Sequence, residues 1–180
     1  MEDTVVFTWG RMNPPTTGHE LLVNKVRAIA RLEGADCMVY LSHSQDSKKN
    51  PFDYNTKVKY VQKAFGKVVQ RSTCNTVLKV LEELDKKYDK VIMVVGADRI
   101  EEFKTLLNKY NGKNYHFSEI KVVSAGDRDA AASDVSGMSA SKMRKLATDE
   151  DFESFKSGLP SMLRSVAKRV YDDLRKAMGI

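Results

Sequence analysis

The 180-residue chain has little of what marks secreted, membrane-spanning or metal-stapled proteins. Cysteine is scarce. Cys37 stands inside an apolar run and Cys74 beside an expected helix start, with no CxxC pair and no neighbouring His cluster, so both are read as reduced thiols and no structural metal is expected. No apolar run exceeds a few residues and the mean hydropathy is −0.43, which excludes a helical membrane span. The start, Met1-Glu2-Asp3, is acidic and runs directly into a strand-like segment; without basic and apolar leader regions, a cytoplasmic location is expected. Repeats and low-complexity segments are absent as well.

What is present suits a globular protein. A hydrophobic content of 42% is enough to bury a core, and the reading is one domain over residues 1–150 with a C-terminal helical extension, 151–180, packed on it. The net charge of +6 fits nucleic acid or polyphosphate partners. Its lysines (Lys57, Lys59, Lys63; Lys79, Lys86, Lys87) lie along helical stretches without interleaved aromatics, so they are read as solvated faces and nucleic acid is not the expected partner.

Short runs rich in β-branched residues recur at Thr4 to Trp9, Asp36 to Leu41, Val91 to Val95 and Ile120 to Val123, with Val68-Val69 as a fifth candidate. Between them apolar residues take helical spacing: Leu22, Val26, Ile29; Val77, Leu81, Leu84; Ile100, Phe103, Leu107, Tyr110. This alternation predicts an α/β fold, a Rossmann-like, doubly wound parallel sheet of about five strands, with ligands beyond the strands' carboxyl ends. A polar, flexible stretch from Gly126 to Gly137 follows, then helical sequence broken at Gly158-Leu159-Pro160. In the last helix Leu163, Val166, Ala167, Val170, Leu174 and Ala177 form a stripe, read as a docking face for the domain or for a second subunit, so a homo-oligomer is compatible.

Three segments carry chemistry. Gly10-Arg11-Met12-Asn13-Pro14-Pro15-Thr16-Thr17-Gly18-His19 joins the first strand to the first helix. A helix start offers free N–H groups and the positive end of its dipole, Gly18 allows close approach, and His19 adds a donor, so the segment asks for phosphate; an ordinary proline turn capped by Thr16 or Thr17 is the plainer alternative. Ser139-Ala140-Ser141-Lys142-Met143-Arg144 sets two hydroxyls and a guanidinium fork at another helix start. Ser42 to Phe52 follows the second strand with Lys48 and Lys49. A softer feature is Gly96-Ala97-Asp98-Arg99, where Gly96 permits close approach of a nucleoside and Asp98 can accept from a ribose hydroxyl while capping the next helix.

Thr16-Thr17-Gly18-His19 resembles the (H/T)xGH motif of the cytidylyltransferase-like nucleotidyltransferases, with Thr16 in place of the commoner first His. Ser139 to Arg144 is similar to that superfamily's ISSTxIR signature, with Met138 where Ile is usual, and the two motifs stand in family order. Ser42 to Phe52 resembles the SxQxS…NPF stretch of archaeal-type NMN adenylyltransferases, Lys57 falls where that group has a basic residue, and Gly96 to Arg99 resembles the G(S/A)DR of bacterial members. The tryptophan that commonly stacks on nicotinamide has no clear counterpart, since Trp9 is expected in the core.

The resemblance implies transfer of an NMP from an NTP, ATP favoured, to a phosphate-bearing small molecule. His19 would hydrogen-bond the α-phosphate, Thr16 orient the acceptor, and Arg11 neutralise either ligand. Ser139, Ser141 and Arg144 would hold the leaving pyrophosphate, with Lys48 and Lys49 closing over it. Mg²⁺ would ride on the NTP, with no metal ligands from the chain. Gly10, Gly18, Gly96 and Asp98 complete the expected nucleotide contacts. The alternatives are a cytidylyltransferase acting on a sugar- or polyol-phosphate, an adenylating fragment of the wider HIGH-type group, or a nucleotide-binding scaffold without turnover.

Overall fold

A computed structural model describes residues 3–126 and 138–180; all of the expected Gly126 to Gly137 segment beyond Gly126 lies outside the described residues. The described chain forms two compact units, one of residues 3–10, 22–40 and 70–126, the other of 11–21, 41–69 and 138–180.

The first unit holds the sheet. β1 (Thr4–Gly10), β2 (Asp36–Leu41), β3 (Lys90–Val95) and β4 (Glu119–Ser124) take the order β2-β1-β3-β4. Parallel pairing sets Val6 opposite Ile92 and Val91 opposite Ile120. The side-chain period of two sends Val5, Phe7, Val91, Met93 and Val95 to one face. There they pack on Val77, Val80, Leu81 and Leu84 of α3 (Val77–Asp85) and on Phe103 and Leu107 of α4 (Ile100–Lys109). Val6, Ile92 and Val94 point to the opposite face and meet Val26 and Ala30 of α1 (Thr17–Glu33). Covering on both faces is why the strand runs are apolar without alternation. Thr8, the polar interruption in the middle of β1, donates its hydroxyl to Val94 O at 2.7 Å. Trp9 packs half-buried against the first face, consistent with a core role.

The fold is the Rossmann-like α/β arrangement expected, but the described residues form four strands. Val68 closes a 3-10 turn (Gly66–Val68) and Val69 makes only a bridge, the next residue, Gln70, donating its N–H to Val39 O. Two valines behind Gly66 are too few to carry a strand. Strand order reverses between β1 and β3, so the carboxyl ends of these two, at Gly10 and at Val95 before Gly96, flank the position where open α/β sheets bind ligands.

The second unit is helical: α2 (Tyr54–Phe65), α5 (Ala140–Thr148), α6 (Phe152–Gly158) and α7 (Ala167–Ala177), with the first turn of α1. Asp53, Ser139 and Asp151 cap α2, α5 and α6 by accepting backbone N–H groups. The expected break appears at the end of α6, and the following residues Ser161–Val166 wind as a 3-10 turn before α7. Leu163, Ala167, Val170 and Leu174 of the predicted stripe are buried, and Phe152 and Phe155 meet Tyr171 edge-on. Tyr60 donates to the Asp173 carboxylate and Arg175 to Ala147 O, tying α7 to α2 and α5. Among the described residues no helix is long and apolar enough to cross a membrane.

Candidate active site

The segment leaving β1 is held by one buried side chain and by partners distant in sequence. Met12 is fully buried at φ 43°, a left-handed conformation that a non-glycine residue adopts only under constraint. The constraint is next door: Asn13, also fully buried, donates Nδ2 to Phe52 O (3.1 Å) and accepts from Phe52 N (2.9 Å). A carboxamide thus pairs with a backbone amide as a strand neighbour would, fastening the segment to Asn50-Pro51-Phe52. The Asn13 carbonyl accepts from Arg144 Nη1 at 3.0 Å.

Thr16 is the N-cap of α1. Its hydroxyl oxygen accepts from Gly18 N (3.1 Å) and His19 N (3.4 Å) and its proton goes to Met138 O at 3.1 Å. Thr16 N donates to His19 Nδ1 at 3.1 Å. A backbone N–H can only donate, so Nδ1 is an acceptor and the ring proton sits on Nε2. The side chain of His19 is thereby set as an Nε2–H donor. Thr16 is fully buried and lies inside this network, so its hydroxyl would have to leave Met138 O to reach a ligand.

Met138 O belongs to the second motif, so one hydroxyl joins the two sequence signatures. Ser139 caps α5 by accepting from Lys142 N (3.2 Å), its Oγ lies 3.1 Å from Ser141 Oγ, and Ser141 is exposed. Arg144, half-buried, has its pKa lowered by desolvation, with Asp46 acting against the shift and Arg11 adding to it; a guanidinium stays charged regardless. Arg11 itself is exposed.

The Ser42 to Phe52 segment is ordered by one carboxylate. Asp46 Oδ1 accepts from Lys49 N (2.7 Å) and Lys48 N (2.9 Å), and Oδ2 accepts from Asn50 Nδ2 (2.9 Å). These bonds, Lys49 first and Asn50 second, hold the carboxyl down at about 2. Lys48 and Lys49 are exposed on this turn, and His43 stacks on Tyr54 of α2 with ring centroids 3.8 Å apart.

Two expectations are corrected. Lys57 is not on a solvated face: it is fully buried, donating to Ser42 O at 2.6 Å and Ser42 Oγ at 3.2 Å. The signal was in the spacing, because Lys57 lies in register with Val61, Ala64 and Phe65 on the apolar stripe of α2. Asp98 does not cap α4. The chain closes a 3-10 turn (Ala97–Arg99) in which Arg99 N donates to Gly96 O, and α4 starts after Arg99. Gly96 and Asp98 are exposed, and a Cβ on Gly96 would sit 3.0 Å from Asp98 Oδ1.

Of the predicted residues, Arg11, Thr16, Gly18, His19, Lys48, Lys49, Ser139, Ser141 and Arg144 all belong to the second unit, and Gly10, Gly96 and Asp98 to the first. Asn13, which links the first motif to both Phe52 and Arg144, was not among them; its buried place in a proline turn carries no pattern of its own. Cations, hydroxyls and capped helix starts are a donor set for phosphate oxygens.

A parallel α/β sheet and donors suited to phosphate oxygens are compatible with a nucleotidyltransferase, the class that the family match gives. The chain belongs to the cytidylyltransferase-like family, whose model matches residues 7–146. Among solved structures it is similar to nicotinic acid mononucleotide adenylyltransferase of Plasmodium falciparum complexed with APC, at 15% identity and a TM-score of 0.56, covering 94% of this chain and 98% of that one. It is also similar to Thermotoga maritima TmcAL bound with alpha-thio ATP, at 12% identity and a TM-score of 0.55, covering 98% of this chain and 56% of that one. No curated protein matches the sequence.

Proposed function

We propose that the chain transfers AMP from ATP to a phosphate-bearing small molecule, in the manner of NMN adenylyltransferases. An acceptor phosphate oxygen attacks the α-phosphorus, the bond from that phosphorus to the bridging oxygen breaks, and pyrophosphate leaves. No protein nucleophile takes part; catalysis is positioning and charge stabilisation.

The observation that carries this reading is the Thr16 N–H bond to His19 Nδ1, which prepares His19 as an Nε2–H donor for the α-phosphate. Arg11 offsets ligand charge, Arg144 with Ser139 and Ser141 holds the leaving pyrophosphate, and Lys48 and Lys49 approach the phosphates from the Asp46 turn. Thr16, with its proton on Met138 O, keeps the two motifs in register; orienting the acceptor would be a second role. Gly18 lets the backbone come near the phosphates. Mg²⁺ arriving on the triphosphate would neutralise part of its charge. The site's cations and hydroxyls complement phosphate, and the Asp46 carboxylate is already taken up by the Lys48–Asn50 turn.

ATP is favoured over CTP because one structural relative is an adenylyltransferase and the other carries an ATP analogue. The test is pyrophosphate release with each NTP against a panel of phosphorylated acceptors. Turnover only with ATP and a nucleoside-monophosphate acceptor such as NMN is expected. Turnover only with CTP and a sugar- or polyol-phosphate would select the cytidylyltransferase, and nucleotide binding without turnover a scaffold.

A further inference from the structure

Lys57 has no exposed surface and lies on the packed side of α2. An ammonium carries three N–H donors, and the two bonds that Lys57 makes both end on Ser42, one on the carbonyl and one on the hydroxyl. No ion pair of Lys57 occurs among the described residues. The charged group acting on it is Arg11, of the same sign; burial first, and Arg11 second, bring its pKa down to about 8. Arg11 weighs on Arg144 in the same sense. Burying a cation beside other cations works against folding, and an apolar chain of equal length would pack there at lower cost. Such a cost persists where a ligand makes use of it.

Resting on the nucleotidyltransferase reading, we infer that Lys57 is a positioning residue of the phosphate site: it fixes Ser42, where the loop bearing Lys48 and Lys49 begins, and its uncompensated charge adds to Arg11 a field that a polyphosphate completes. The ligand class is the pyrophosphate or triphosphate moiety. A purely structural lysine would tie Ser42 to α2 and do no more, so polyphosphate affinity separates the two roles.

The experiment compares wild type with Lys57→Met, Lys57→Gln and Lys57→Arg by thermal unfolding, by calorimetric titration with ATP and with inorganic pyrophosphate, and by steady-state kinetics. Lys57→Met is expected to fold with a Tm near that of wild type, the relief of a buried charge offsetting the donor lost to Ser42. Its pyrophosphate affinity and its KM for ATP should each worsen about tenfold or more, with kcat changed far less, and Lys57→Arg should recover most of the loss. Variants that unfold, or that bind pyrophosphate as wild type does, would overturn the inference while leaving the nucleotidyltransferase reading intact. Wild-type protein that binds neither ATP nor pyrophosphate would overturn that reading, and this one with it.

Discussion

The Thr16 hydroxyl donates to Met138 O at 3.1 Å, across 122 residues of sequence, while accepting from Gly18 N and His19 N. One oxygen therefore caps α1 and joins the two sequence motifs. Thr16→Val keeps the shape and removes every one of these bonds. It should cost about 1–3 kcal/mol, from the lost cap and the unpaired Met138 carbonyl, whereas Thr16→Ser should stay near wild type in urea unfolding.

Gly158 permits a close approach. A Cβ there would clash with Met143 Sδ and lie 2.8 Å from Met138 Cγ, and both methionines are buried. Gly158→Ala should destabilise by about 1–3 kcal/mol through overpacking. Because Met138 carries the carbonyl that Thr16 holds, KM for the nucleotide should rise with it. An unchanged Tm would mean that the methionines give way freely.

The Asp46 turn presents Lys48 and Lys49. Asp46→Ala removes their shared acceptor from an exposed site, so stability should move by no more than about 0.5 kcal/mol. KM for ATP should rise severalfold with kcat little altered, if the lysines contribute to phosphate binding. Steady-state kinetics decide this.

Stability should have an alkaline maximum. Lys57 titrates near 8 in the folded protein, below the usual 10.5, so over that window the unfolded chain binds the extra proton and stability rises with pH. The buried Tyr40, Tyr60, Tyr88 and Tyr115 hydroxyls are shifted upward, chiefly by burial, so above about pH 10 the unfolded chain loses protons first and stability falls. Urea midpoints from pH 7 to 11 test both limbs, and Lys57→Met should flatten the rising one alone.

The sheet was legible because strands covered on both faces leave continuous apolar runs, and four of these became β1 to β4. Val68-Val69 misled because two β-branched residues imitate a strand while Gly66 opens a 3-10 turn. Lys57 was missed because a charge reads as solvent-facing even when it shares a helical stripe with Val61 and Phe65. Both sequence motifs stood out through residue type and order. Their coupling through Thr16 and Met138, and the Asn13 amide paired with Phe52, depend on residues brought together only by folding.

The most direct test of the account is the rate of acceptor-dependent pyrophosphate release from ATP by wild type, His19→Ala and His19→Asn, each verified as folded. Removing a prepared donor to the α-phosphate should lower kcat by about 10²–10³ with KM for ATP nearly unchanged. Equal turnover in wild type and both variants would contradict the account.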